Sequence, residues 1–213
     1  SRGLGDVYKR QERLMSRIEI LRNAPIYIDD TPSLSVFELR TKARRLVREH
    51  GIKIIIIDYL QLMNASGMSF GSREQEVSTI SRSLKQLAKE LQIPIIALSQ
   101  LNRSVESRGN DKDGKEGKRP QLSDLRESGA IEQDADMVCF IHRPEYYTRS
   151  KEDANGNSIE GLAEFIIAKH RSGATDTVNM KFVSYLARFQ NYDEDTRLTD
   201  FSAPVTSKFN TPD

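Results

Sequence analysis

Residues 52–57, "IKIIII", are apolar at every position but Lys53 and run straight into one carboxylate, Asp58. A strand with no polar alternate face must be covered on both sides, which is the mark of a strand inside a parallel sheet. A second run of this kind, "PIIALSQ" (94–100), ends in Gln100. Between the two, Val77, Ile80, Leu84, Leu87 and Leu91 recur in one stripe, so residues 73–91 are predicted to be a helix. Strand, helix, strand is a βαβ unit, and it commits the chain to the α/β class. Ligands of open parallel sheets lie at the carboxyl ends of the strands. Asp58 and Gln100 both occupy such ends.

The flanking segments extend this plan. Ser35 and Glu38 form a capping box, and Leu34 and Leu39 are placed for a hydrophobic staple. Leu39, Ala43, Leu46 and Val47 continue at helical spacing until Gly51, a helix stop. Arg40, Arg44, Arg45 and Arg48 lie on the opposite face, which reads as a solvated face more readily than as a nucleic-acid patch. Residues 12–23 read as a short helix and 25–29, "PIYID", as a strand. Residues 137–142, 163–171 and 177–183 read as three further strands, with a hairpin tip or surface loop at 150–160. The charged, glycine-rich stretch 107–119 is too polar to pack, and the tail after about residue 193 lacks periodicity and is expected to be disordered. Residues 1–11, "SRGLGDVYKRQ", show no periodicity and are set aside as an adapter or junction sequence.

Charge and composition narrow the function classes. The 213 residues carry 32 basic and 31 acidic side chains, so any basic site must be local. A single cysteine, Cys139, excludes an intrachain disulfide and fits a reducing compartment. No apolar run reaches the roughly 18 residues of a membrane span, and no signal peptide is visible.

An apolar strand ending in aspartate is half of a nucleotide site; the other half is a Gly-x-x-x-x-Gly-Lys-Ser/Thr loop whose amides cradle the phosphates. Gly109, Gly114 and Lys115 have the spacing, but Glu116 stands where the hydroxyl belongs. Asp111 and Asp113 would repel phosphate, and Pro120 follows where a helix should run. This loop is a decoy. The expectation is a domain whose first strand and phosphate loop lie upstream of residue 12.

Five blocks then occur in order: "PIYIDDTPSLSVFELRTKARRL", "IIIIDYLQLM", "ALSQLNRSVESR", "RPQLSDLRESGAIEQDADMVCFIHR" and "EFIIAKHRSGATDTVNMKF". Residues 12–192 closely resemble the C-terminal ATPase domain of the bacterial replicative DNA helicase, the DnaB type. The resemblance implies a RecA-like P-loop NTPase core with a parallel central sheet and C-terminal antiparallel strands. It implies a cytoplasmic homo-hexameric ring that binds ATP and Mg2+ between subunits, threads single-stranded DNA and unwinds duplex at the replication fork in the five-prime to three-prime direction. Primase and a helicase loader are the further partners it implies, with no membrane.

By the same resemblance Asp58 is the magnesium-holding aspartate. Gln100 senses the γ-phosphate, with an ordinary sheet-edge hydrogen bond as the bland alternative. Lys169 and Arg171 are the basic pair that reaches a neighbour's ATP; strand alternation would send both from one face, with His170 turned to packing. Arginine there stabilises charge on the transferring phosphoryl group. Residues 124–136, "DLRESGAIEQDAD", match the channel loop that grips the DNA backbone, where the bland reading is a plain turn. Arg126 would meet phosphate, Gly129 would allow close approach, and Glu127 would act through its amide or by orienting Arg126. Arg103 and 107–119 form a candidate second channel loop. The general-base glutamate matches no residue from 12 onward.

Two other readings stand beside this one. A RecA-like recombinase or clock-type ATPase would share the core but not "DYLQLM" with "DLRESG". A non-catalytic DNA-binding or assembly module would have no phosphate loop at all.

Overall fold

The first helix, α1 (Val36–His50), begins as its sequence predicts. Ser35 Oγ accepts from the Glu38 amide at 3.2 Å, and the Ser35 amide donates back to Glu38 at 3.0 Å, closing the capping box. At the other end Gly51 takes the left-handed conformation, φ 62°, that a residue with Cβ adopts only with strain. In this computed structural model the described residues are 21–65, 67, 69–102, 105, 108, 118–147, 152, 156 and 158–192, with 11, 14, 15 and 17–19. The decoy loop at 109–117, Arg103 and the tail from 193 lie outside them. The chain divides into two units, residues 1–102 with 123–135, and residues 103–122 with 136–213.

In the first unit, β1 (Ile55–Ile57) and β2 (Ile95–Ala97) pair in parallel, with α2 (Arg73–Leu91) between them in sequence. The predicted bounds of α2 are the observed ones, and its buried face is Val77, Ile80, Ser81, Leu84 and Leu87. Ile80 is wholly inaccessible and packs with Val36, Leu60, Met63, Ala65 and Leu84. A short helix, α3 (Gly129–Asp134), adds Ile131 to the same cluster.

Two expectations fail here. The isoleucine run is covered on one face only. Ile56 and its register partner Ile96 are 64% and 47% exposed, and Ile54 and Leu98 are also open. The cluster around Ile80 takes Ile57 and Ala97, and no described element takes the alternate positions. The segment 25–29 forms no strand; it is irregular, with Ile28 87% exposed. Local contacts hold it instead: Tyr27 stacks on His50, and Asp29 accepts from Thr31 and pairs with Lys42. The Lys42 contact, with Thr31, brings the Asp29 carboxyl down to about 2.

The basic face of α1 is largely tied up within the protein. Arg40 and Arg44 both hold Glu90 of α2, and those two hydrogen bonds, Arg44 first, keep the Glu90 carboxyl below its ordinary value.

The second unit is a four-stranded antiparallel sheet in the order β3 (Met137–His142), β4 (Leu162–His170), β5 (Asp176–Val183), β6 (Arg188–Asn191). The first three strands match the predicted ones within a residue. The fourth, "RFQN", carries one apolar residue and no alternation to betray it. It forms because the 3-10 turn Ser184–Leu186 and left-handed Ala187 fold the chain back, setting Phe189 against Phe182. Glu152 and Ser158 pair across an isolated antiparallel bridge, as a hairpin tip there predicts. Val138, Phe140, Ala163 and Ile166 are buried, and a helical turn, α4 (Pro144–Tyr147), stacks Tyr147 on buried His142. Cys139 is a free, half-buried thiol that burial pushes up in pKa.

Candidate functional site

Parallel pairing carries the β1 and β2 chains out to one edge together. The ladder continues past the strands, Leu98 N–H to Ile57 O at 2.9 Å and Leu60 N–H to Leu98 O at 2.9 Å. Asp58 and Gln100 follow directly, both exposed. The sequence therefore placed these two residues correctly at neighbouring strand ends.

What fixes them was not foreseen. Gln61, in the 3-10 turn Leu60–Leu62, reaches across to the other strand end. Its Oε1 accepts from the Gln100 amide at 3.3 Å, and its Nε2 donates to Ser99 Oγ at 3.0 Å and to Gln100 O at 3.4 Å. A primary amide carries a donor and an acceptor on one plane, so it can bridge both backbone groups of a single residue. Arg73, the first residue of α2, holds the same turn by donating to Gln61 O at 2.8 Å and Met63 O at 3.0 Å. Arg73 is paired with Glu76, whose Oε1 accepts from the Ala65 amide at 3.0 Å. That backbone bond, with Arg73, holds the Glu76 carboxyl below its ordinary value. "DYLQLM" signals Gln61 only by its place after Asp58, and nothing local in the sequence signals Arg73 or Glu76.

Chemically, this edge presents one hard carboxylate and one neutral amide. Among the described residues no group of three or more His, Cys, Asp or Glu side chains could enclose a metal. A single carboxylate suits magnesium, which keeps several waters and takes its other ligands from phosphate. The donor set fits that ion and not a caged structural metal.

In the second unit, Lys169 lies near the end of β4 and Arg171 one residue beyond it, in a turn. The two are therefore not an i, i+2 pair within one regular strand, as alternation assumed. The ladder is also shifted: Val138 faces Lys169 while Cys139 faces Ile167, so Ala168 is an extra residue on β4. A bulge at that point re-aims the side chains that follow it. Arg171 is anchored twice to Asp136, by its N–H to Asp136 O at 2.8 Å and by Nη1 to Oδ1 at 3.1 Å. The His170 ring lies over Gly173, where any Cβ would collide with it. His170 is thus packed, as predicted.

The segment expected as a DNA-gripping loop is helical. Arg126 and Glu127 fall in a 3-10 stretch, Leu122–Ser128, that leads into α3 at Gly129. Asp124 and Leu125 are buried, and Asp124 O accepts from the Asn102 amide at 3.3 Å. Gly129 is exposed with open space where a Cβ would stand. The side chains of Arg126 and Glu127 lie outside the described residues.

Comparison with known proteins joins these features. A family profile described as the DnaB-like helicase C terminal domain matches residues 4–191, beginning inside the 1–11 stretch set aside above. The chain is 53% identical over 171 residues to the replicative DNA helicase DnaB of Geobacillus stearothermophilus, covering 80% of this chain and 35% of that protein. It is 50% identical over 184 residues to the replicative DNA helicase DnaC of Bacillus subtilis (strain 168), covering 86% and 37%. The chain thus spans little more than a third of these relatives' length. Among solved structures, a DnaB-like ATPase domain superposes with a TM-score of 0.73 at 40% identity, covering 85% of this chain and 60% of that one. A DnaB-like replicative helicase studied with primase gives 0.72 at 41% identity, covering 85% and 40%. The α/β fold is accordingly the RecA-like ATPase fold of these helicases.

Proposed function

The chain belongs to the DnaB-like helicase C-terminal domain family, and on that premise we propose that it is part of the ATP-driven motor of a replicative DNA helicase. The motor is a homo-hexameric ring that moves on single-stranded DNA and unwinds duplex at the fork, working in the cytoplasm with a primase and a loader. The observation that carries this reading is the parallel register of β1 and β2, which brings Asp58 and Gln100 to one edge under the Gln61 clamp. The recombinase, clock-type and non-catalytic alternatives lose support, since these relatives are replicative helicases.

In this reading Asp58 holds the Mg2+ of bound ATP through its carboxylate. Magnesium supplies charge neutralisation on the phosphates during transfer. Gln100 hydrogen-bonds the γ-phosphate without adding charge, which lets the edge distinguish ATP from ADP. Lys169 and Arg171 serve the ATP of the neighbouring subunit. Arg103, Arg126, Glu127 and Gly129 belong to the DNA-gripping surface, where phosphate contacts give grip without reading sequence. The open face at Ile54, Ile56, Ile96 and Leu98 packs against the remainder of the ATPase domain.

The test is Asp58→Asn in the full-length helicase, assayed for ATP- and Mg2+-dependent unwinding of a forked duplex. Unwinding should be lost while the ring still assembles. Unwinding at the wild-type rate overturns the assignment.

A further inference from the structure

Arg171 is one residue past the end of β4, where a long side chain has no neighbouring strand to direct it. Yet its backbone N–H and its guanidinium both go to one residue, Asp136, which lies 35 positions earlier at the start of β3. The β3–β4 pairing next to it, Met137 with His170, keeps the two chains in register up to that point. The turn beyond is fixed from the other side by the His170 ring on Gly173. Asp136 is therefore the residue that sets both where the Arg171 backbone sits and where its guanidinium leaves the turn. The ion pair is open to solvent, 50% exposed at Arg171 and 63% at Asp136, so it is weakly held and adjustable.

From this geometry we propose that Asp136 is a positioning residue for Arg171. It holds the guanidinium on course for the nucleotide of a neighbouring subunit, and it touches no substrate itself. The proposal rests on the in-trans role given to Arg171 above. Arginine suits such a relay because its rigid fork of five N–H donors can hold a carboxylate with one and present others to a phosphate. Placement matters because a finger arginine contributes about 10³–10⁵ in turnover. A displacement of about 1 Å in a catalytic group can cost on the order of a hundredfold. Asp136 also lies two residues after α3 in sequence, directly following the "DLRESGAIEQDAD" segment's last turn, so the chain that would grip DNA ends on the residue that holds the finger.

The experiment is steady-state, DNA-stimulated ATPase of the full-length ring, wild type against Asp136→Ala, Asp136→Asn, Asp136→Glu, Arg171→Ala and the Asp136→Ala/Arg171→Ala pair. The expected result for Asp136→Ala is a fall in kcat of about ten- to a hundredfold, with KM for ATP held within about threefold. Asp136→Glu should recover part of the loss, and Asp136→Asn, which keeps an acceptor and the side-chain shape, should fall between. The double variant should match Arg171→Ala alone, because Asp136 acts only through that side chain. Wild-type kcat in Asp136→Ala with Arg171→Ala inactive overturns the positioning role and leaves the finger reading intact. A raised kcat overturns it too, since Asp136 would then be withholding the arginine. Full turnover in Arg171→Ala overturns the finger reading and the proposal together.

Discussion

The side-chain amide of Gln61 grips the backbone of Gln100 at both its N–H and its C=O. This ties the end of β1 to the end of β2 at the point where the phosphate-facing residues stand. Gln61→Ala removes both bonds and lets the Gln100 segment drift. In the full-length helicase it is expected to lower kcat for ATP about tenfold, within the range typical of misplaced catalytic groups, with little change in KM. Gln61→Glu keeps the acceptor for the Gln100 amide but loses the donor, so it should fall between. Steady-state ATPase kinetics decide, and a Gln61→Ala enzyme with wild-type kcat sinks the idea.

The Arg73–Glu76 brace under the Asp58 turn is pH-sensitive. The Glu76 carboxyl sits below its ordinary 4.5 because it accepts from the Ala65 amide and pairs with Arg73. Its contribution to stability is therefore present above pH 4.5 and is lost as pH falls through the depressed folded value. Thermal melts of the domain below about pH 4.5 should show wild type losing stability faster than Glu76→Gln. Parallel melting curves at every pH would show that the brace does not hold.

Arg171 and Asp58 can be tested for work in different subunits' sites. Arg171→Ala should abolish ATPase while nucleotide binding survives. Asp58→Asn should do likewise through its own site. Rings assembled from a mixture of the two contain interfaces where an intact Asp58 site meets an intact Arg171. Those mixed rings should regain measurable turnover that neither variant has alone. Mixed rings that exchange subunits yet stay inactive count against action in trans.

Two isoleucines separate core packing from an open face. Ile80, wholly inaccessible, should lose about 2–5 kcal/mol on substitution by alanine, the range for a buried large-to-small change. Ile56, 64% exposed in this chain, should change stability by less than about 0.5 kcal/mol. In the full-length helicase the Ile56→Ala loss should approach that of Ile80→Ala. Chemical denaturation of chain and full-length protein compares them; equal small losses for Ile56 in both would leave its face uncovered in the whole motor.

Local rules worked where the physics is local. The Ser35–Glu38 capping box, the Gly51 stop and the bounds of the Arg73–Leu91 helix all depend on residues within a turn of one another, and each was read correctly. Strand ends could be read too, which is why Asp58 and Gln100 were placed together. Burial of the isoleucine run could not, because coverage depends on which elements pack over a strand rather than on the strand's own residues. "PIYID" has strand composition but finds no described partner, and "RFQN" lacks it yet pairs because a turn delivers it to β5. Gln61 with Gln100, and Asp136 with Arg171, join positions 39 and 35 apart, a distance no periodicity spans. The single extra residue at Ala168 defeated the alternation argument for Lys169 and Arg171.

The paired Ile56 and Ile96 give the β1–β2 sheet a bare hydrophobic seam. A seam of this kind makes the chain the receiving half of a split protein. A separately supplied polypeptide that covers the stripe would restore the missing layer by fragment complementation, with apolar contact as its driving force. The motor could then be assembled in the test tube from two pieces, and the boundary between them would itself become something to engineer.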